Sequence, residues 1–529
     1  MIPGLLVIAK FAFRDVLLTG DIAITDARMR DLDNGILPLL GPYSNGWAHP
    51  GPMVFYLLAP LHKLSGGASW ALVVGGVVLT LVAIALTAWV AWRRGGLSLT
   101  LGALALCALS TLGATDRVLL DPWNPHLAMP FFALFILMVW SVMVRDRWML
   151  LGAVIVGSFL TQTHLGYAPI VGVGLALAIG FLILDAVRAK RATRWWAVPL
   201  GVSAATTLLL WSTAIYEQLT GNPGNVTLIE RYFSASPEGH IGLRAGAGTF
   251  AALFRPVPVW LGGAQHFDPL TFQPRPESLA WLLIPAALLT IAGAVAVRRR
   301  MWDEARLVGL VGVFVVVGIV ALSRVKDQAW SYMSLWRIPL AVMVVLASVW
   351  TLWRAWARPP TIARTIGIVA ACIAILWGVV PITRDIQRTA HVASGHACAA
   401  PIVEQLKDAR PTGRILLRSV APALWGVTQA LMNELDANGV DVVLDEKFVD
   451  RWGSSRTASV DQVDEVWIVT EDGVRASLLA AAPGGRIIAG VSPLSPEKEL
   501  ELQRLQRELA AELDAAGRPE LVASLDYLN

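Results

Sequence analysis

Ten apolar runs, each close to the length a helix needs to cross the hydrocarbon core of a bilayer, recur between residues 70 and 383. They lie near 70–92, 97–115, 127–144, 148–166, 168–187, 196–216, 279–297, 307–323, 335–353 and 365–383, each bounded by charged residues. With 55% hydrophobic and only 16% charged residues, and a mean hydropathy of +0.58, the chain cannot fold as an ordinary soluble domain. It reads as a polytopic α-helical membrane protein. An eleventh span is expected within Met1–Leu18, although Lys10, Arg14 and Asp15 interrupt it. Several of the 22 tryptophans sit at span ends, as in an interfacial aromatic belt.

Arginine placement sets the orientation. Alternate loops carry Arg93-Arg94, Arg145 with Arg147, Arg188 to Arg194, Arg298 to Arg300 with Arg306, and Arg354, Arg358 and Arg364. These loops read as cytoplasmic. The first loop (20–66), the loop at 216–278 and everything beyond the last span are then outside. The net charge of +4 is explained by the basic loops. No basic stripe with interleaved aromatics points to nucleic acid, so no nucleic-acid partner is expected. Three cysteines without a CxxC pair or His/Cys cluster suggest neither a disulfide framework nor a metal site. No cofactor is implied.

The first outer loop is far denser in chemistry than a connection requires. It runs Gly20-Asp21 through Asp26, Arg28 and Arg30 to Asp31, and then from Gly41 through Tyr43 to His49-Pro50-Gly51-Pro52. Residues 21–33 read as one surface helix, with Asp26 and Arg30 paired at i,i+4. Residues 52–65 read as a second, amphipathic interfacial helix. Carboxylates can take a proton from an attacking hydroxyl, and guanidinium groups suit bidentate phosphate contacts. The same charges would equally serve a solvated helix surface, and His49 can orient a ligand or simply cap the helix that follows.

Further polar groups gather on the same face. Asp121-Pro-Trp123-Asn124-Pro-His126 forms a second dense outer loop, and Gln162, His164 and Tyr167 end another span. Polar groups at that depth need a cavity or a partner. Arg231 and Lys326, in later outer loops, can bind phosphate or anchor the interface. The Asn225-Val-Thr227 sequon reads as coincidence.

Beyond residue 385 the composition becomes that of a soluble α/β domain (386–529). Strands are expected at 413–420, 440–444, 463–470 and 485–491, and helices near 401–409, 423–438, 473–482 and 496–515. No GxGxxG or P-loop signature occurs there, so the domain is expected to serve structure or acceptor positioning.

Taken together, residues 1–385 resemble the GT-C class of integral-membrane glycosyltransferases. That class includes the protein O-mannosyltransferases, the lipid A aminoarabinose transferases and the mycobacterial-type arabinofuranosyl- and mannosyltransferases. Asp21 matches the essential carboxylate that closes the first span in that class, and Asp26 stands where a second acid can sit. His49-Pro-Gly-Pro52 is similar to a His-Pro-Pro element, interrupted here by Gly51. Trp123-Asn124-Pro125 and Gln162-Thr-His164-Leu-Gly-Tyr167 resemble motifs of bacterial members.

The resemblance implies inverting transfer from a polyprenyl-phosphate sugar to a lipid, glycan or protein outside the cytoplasm, at a bacterial plasma membrane. Asp21 would be the general base and Asp26 would position the acceptor. Arg28, Arg30, Arg231 and Lys326 would hold the lipid phosphate. Tyr43, His49, Asn124, His126 and His164 complete the expected substrate-binding set. The competing reading is a transporter or flippase for lipid-linked precursors. It calls for ionisable residues deep within spans, whereas here the polar density lies on one face.

Overall fold

The structure is a computed structural model. It describes residues 1–518 apart from 45, 236–238, 268–272, 327–328, 357–360, 393–395, 407–410, 412, 421–423, 471–475, 477–478, 482 and 492–495. Among the described residues, eight helices are long and apolar enough to cross a membrane by length and composition. The longest, Trp70–Ala114, is broken at Gly96, whose φ of 61° and ψ of −153° reverse the chain. The runs at 70–92 and 97–115 are therefore separate helices, and only a residue without Cβ takes that turn readily.

Two expected spans are short. Met149–Thr163 has fifteen residues and Ile2–Phe11 has ten, about 22 Å and 15 Å of helix. The N-terminal helix runs through Lys10 and ends at Phe11, before Arg14 and Asp15. Lys10 then donates to the carbonyls of Ile386 and Gln387 at 2.9 and 3.0 Å, tying the first helix to the last.

Helix Asn124–Met143 is the axis of the bundle and is buried along nearly its whole length. Phe132 and Phe135 stack on Phe314, and Trp140 meets Trp350 edge-on at 5.5 Å. Peripheral helices expose Leu208, Leu209, Leu283, Ile373 and Trp377. Apolar surface of that extent is what acyl chains would cover.

The first loop forms the two expected helices, Gly20–Asp33 and Met53–Leu64. The C-terminal region carries a parallel sheet of β1 (Ile415–Ser419), β2 (Val442–Asp445), β3 (Thr457–Ala458) and β4 (Glu465–Val469), in the order β3-β2-β1-β4. Ile415 faces Val442 on one side and Glu465 on the other. Three expected strands form. The fourth, at 485–491, does not: the Gly490 N–H and C=O are both taken by the Gln405 side-chain amide, which keeps them from a ladder. The short edge strand β3 was not anticipated. Helices His396–Leu406, Trp425–Ala437 and Pro496–Ala515 match three expected helices, and most of 473–482 lies outside the described residues.

Helix Gly20–Asp33 joins the two parts. Its Ile24 and Ala27 enter the soluble domain's core with Leu417, Leu431 and Leu444, while Ile22, Ala23 and Met29 enter the membrane core. Its charges are buried between them. Asp26, fully inaccessible, accepts from Arg30 (2.9 Å), Ser69 (2.6 Å) and Asn433 (3.1 Å), and its other oxygen meets His62 Nε2 at 3.2 Å. Arg30 also donates to Asn433 and Asp436. Asp31 accepts from Arg28 and Arg456, and Arg456 also reaches Asp436.

His62 is held between Asp26 and Asp33, the latter at 2.7 Å. Burial opposes charge on both members of the His62–Asp26 pair, yet their mutual contact and the neighbouring partners outweigh it. Asp26 is held below the usual carboxylate range and His62 above the usual imidazole range.

Breaking a buried pair leaves an uncompensated charge, a cost of about 3–5 kcal/mol. Arg456→Gln is therefore expected to lower the thermal midpoint of the detergent-solubilised protein markedly. An unchanged midpoint would show that the network contributes nothing to docking. The two titrations also set a pH window. The Asp26 contribution is present above the unfolded carboxylate value of about 3.9 and is lost as pH falls through the lower folded value. The His62 contribution is full below the unfolded value of about 6.5 and is lost as pH rises through the higher folded value. Thermal stability is expected to decline on both flanks, and His62→Gln to flatten the alkaline one. An alkaline decline of full size in that variant would assign the titration elsewhere.

Candidate active site

Where the Gly20–Asp33 helix begins, the chain encloses a cavity of about 360 Å³. The helix supplies Asp21, Ile24, Thr25 and Arg28, the connector after it supplies Leu37 to Tyr43 and Ala48, and Phe55, Asn124, Glu217 and Arg451 complete the wall.

The connector is pinned by close packing. Gly41 N–H donates to the His49 carbonyl and His49 N–H to the Pro42 carbonyl. A Cβ on Gly41 would stand 2.6 Å from the Gly51 carbonyl oxygen and 2.8 Å from that of Gln162. Buried Asn225 clamps Ala48 through both its amide nitrogen (2.7 Å) and its oxygen (2.8 Å), so its side chain is committed to the fold.

Asp21 stands in the first turn of its helix, after Gly20 at φ +61°, where the helix dipole favours negative charge. Trp123 Nε1 donates to its carboxylate at 3.1 Å, and the indole is held against Tyr332 at 4.6 Å. The carboxylate touches solvent at the cavity while protein crowds its other sides. That enclosure raises it above the usual carboxylate range, with the Trp123 bond and Arg451 pulling the other way. Asp121 is a second acid nearby, pushed up to about 7 by burial and by Asp21 and Asp116, against Arg117.

Of the residues expected from sequence, Asp21, Arg28, Tyr43 and Asn124 line the cavity. Arg28 is partly engaged by Asp31 at 2.8 Å, and Asn124 donates to the Thr163 carbonyl at 2.9 Å. Asp26 and Arg30 are not in the wall but inside the docking network. His49 is buried and accepts from Leu165 N–H at 3.1 Å, with the His164 ring 5.1 Å away. Burial, and then His164, hold it well below the usual imidazole range. His164 accepts from Gly166 N–H, and His126 contacts the Asp121 carbonyl. Arg231 is exposed, and Lys326 is buried and bridged by backbone to His240. None of these five lines the cavity.

The sequence reading missed Arg451 and Glu217. Glu217 accepts Asn225 N–H with both oxygens, at 3.2 and 3.0 Å. Arg451 lies 430 positions from Asp21 in a polar stretch that carried no motif. Among the described residues no three His, Cys, Asp or Glu side chains come together as a metal-holding group. Chemically, the cavity offers a solvent-accessible carboxylate of raised basicity, two guanidinium groups, an amide and a phenol beside an apolar rim.

No family model and no curated protein matches the sequence. Among solved structures, the chain is similar to ArnT (lipid A aminoarabinose transferase) from Cupriavidus metallidurans bound to undecaprenyl phosphate. The TM-score is 0.52 at 12% identity, over 87% of this chain and 88% of that one. The same protein in the apo state gives 0.50 at 12% identity, over 95% and 93%. This chain thus shares the architecture of that protein, the GT-C fold, over most of its length.

Since the obstructing atoms are backbone carbonyls, Gly41→Ala is expected to cost about 1–3 kcal/mol and to free the connector. Faster proteolysis within 37–48 and a lower thermal midpoint would be its marks. Wild-type behaviour in both would mean that the close approach is not needed.

Proposed function

We propose that the chain is a membrane glycosyltransferase that moves a sugar from a polyprenyl-phosphate donor to a hydroxyl acceptor outside the cytoplasm, with inversion. The reading is supported above all by Asp21, a solvent-accessible carboxylate of raised basicity in a cavity that also holds guanidinium groups. The shared architecture with ArnT, whose structure contains undecaprenyl phosphate, supports the donor class.

In this mechanism the Asp21 carboxylate takes the proton of the acceptor hydroxyl as its oxygen bonds to the anomeric carbon from the side opposite the phosphate. The bond between that carbon and the phosphate oxygen breaks, and its electron pair leaves with the polyprenyl phosphate. Arg28 opposes the charge that develops there. Asn124 and Tyr43 border the space for the sugar, while Leu37, Leu39, Leu40 and Phe55 offer apolar surface to the start of the prenyl chain. Asp26 and Arg30, given site roles by sequence, act here by fixing the helix that carries Asp21 and Arg28. The arginine-rich loops support an outward-facing site, which this reading sets at a bacterial plasma membrane.

Replacing a general base costs about 10²–10⁴-fold in rate. Asp21→Asn, purified in detergent with an unchanged thermal midpoint, is expected to lose sugar transfer from labelled polyprenyl-phosphate donors by that factor. Near wild-type turnover would remove Asp21 from the chemistry.

A further inference from the structure

Two cations line the cavity, and their circumstances differ. Arg28 is paired with Asp31, which also holds Arg456. Arg451, on the one-turn helix Val449–Trp452 of the soluble domain, has no carboxylate within 4.0 Å among the described residues. Aromatic rings hold it instead: Tyr43 at 4.4 Å, Trp425 at 5.5 Å and Phe448 at 5.8 Å from the guanidinium carbon. One nitrogen reaches the Tyr43 hydroxyl at 3.4 Å. Ring contacts of this kind fix the plane of a guanidinium without consuming the N–H donors along its edge, which leaves a planar fork suited to a phosphate.

The anchoring around Arg451 is firm. Trp452 is fully buried beside it, and Gly453, at φ +82°, lies against Arg28: a Cβ there would stand 2.6 Å from Arg28 Nη1. The soluble domain thus brings to the wall that carries Asp21 a cation with no carboxylate within 4.0 Å among the described residues, and Tyr43 of the first loop receives it.

We propose that Arg451 of the C-terminal domain binds the phosphate of the lipid carrier, so that the donor site is complete only when that domain is docked. This deepens the transferase reading and rests on it. The domain then belongs to the binding machinery, and Arg451 joins Arg28, itself shared with Asp31, in facing the anion.

The test uses the full-length protein in detergent with undecaprenyl phosphate as probe, and its binding is followed by tryptophan fluorescence. Arg451→Gln, and Arg451→Met, which keeps an apolar stem against the rings, are expected to weaken binding at least about tenfold at unchanged thermal midpoint. Arg451→Lys is expected to recover part of that loss. A Kd within twofold of wild type in Gln and Met would overturn the inference while leaving the transferase reading intact. Failure of the wild-type protein to bind the lipid at all would sink that reading first. Inorganic phosphate is expected to compete only weakly, and equal competition by it would show a free-anion site instead. Should the variants not fold, hydrogen exchange on the wild-type protein decides: the lipid should protect Val449–Gly453, and no protection there refutes the assignment.

Discussion

Everything at the outer face depends on how one fourteen-residue helix hides its charges. Gly20–Asp33 carries Asp26, Arg30 and Asp31 into a layer between a membrane bundle and a soluble domain, where Asp26 is matched from both sides and Arg30 and Asp31 from the soluble domain. Buried ions are favourable only when every donor and acceptor is met. Here that requires Ser69 and His62 from one part and Asn433, Asp436 and Arg456 from the other. This network anchors the helix, and Asp21 and Arg28 on the same helix face the cavity.

This layer explains which parts of the chain were legible beforehand. The apolar runs and the three main strands depend on local periodicity, and they formed where periodicity placed them. Thr457–Ala458 is too short to carry such a signal, and 485–491 had the composition of a strand but spends its backbone on Gln405. The site was only half legible. Asp21 and Arg28 line a cavity, yet Asp26 and Arg30, of the same residue types in the same segment, do not. What separates them is the face of the helix and the identity of groups some 400 positions further on, which no reading of the loop by itself contains. Arg451 was missed for the same reason: its significance comes from Tyr43, not from its neighbours in sequence.

The histidines teach a related lesson. His49 and His164 sit in motifs that invite a chemical role, but both are buried and accept backbone N–H groups, and burial disfavours protonation of His49. His49 ties the connector to the turn after the Met149–Thr163 helix, and His164 packs beside it. The groups that face the cavity are instead the Asp21 carboxylate and the Arg28 and Arg451 guanidinium groups.

Lys10 grips the carbonyls of Ile386 and Gln387, and Asp31 grips Arg456. Both links join the beginning of the polypeptide to its far end. During synthesis the opening segments therefore emerge from the ribosome hundreds of residues before their mates exist. A nascent chain would carry the acidic loop with its charges unmatched and its pocket unformed. The wall that Arg451 completes can form only once the C-terminal domain has been made.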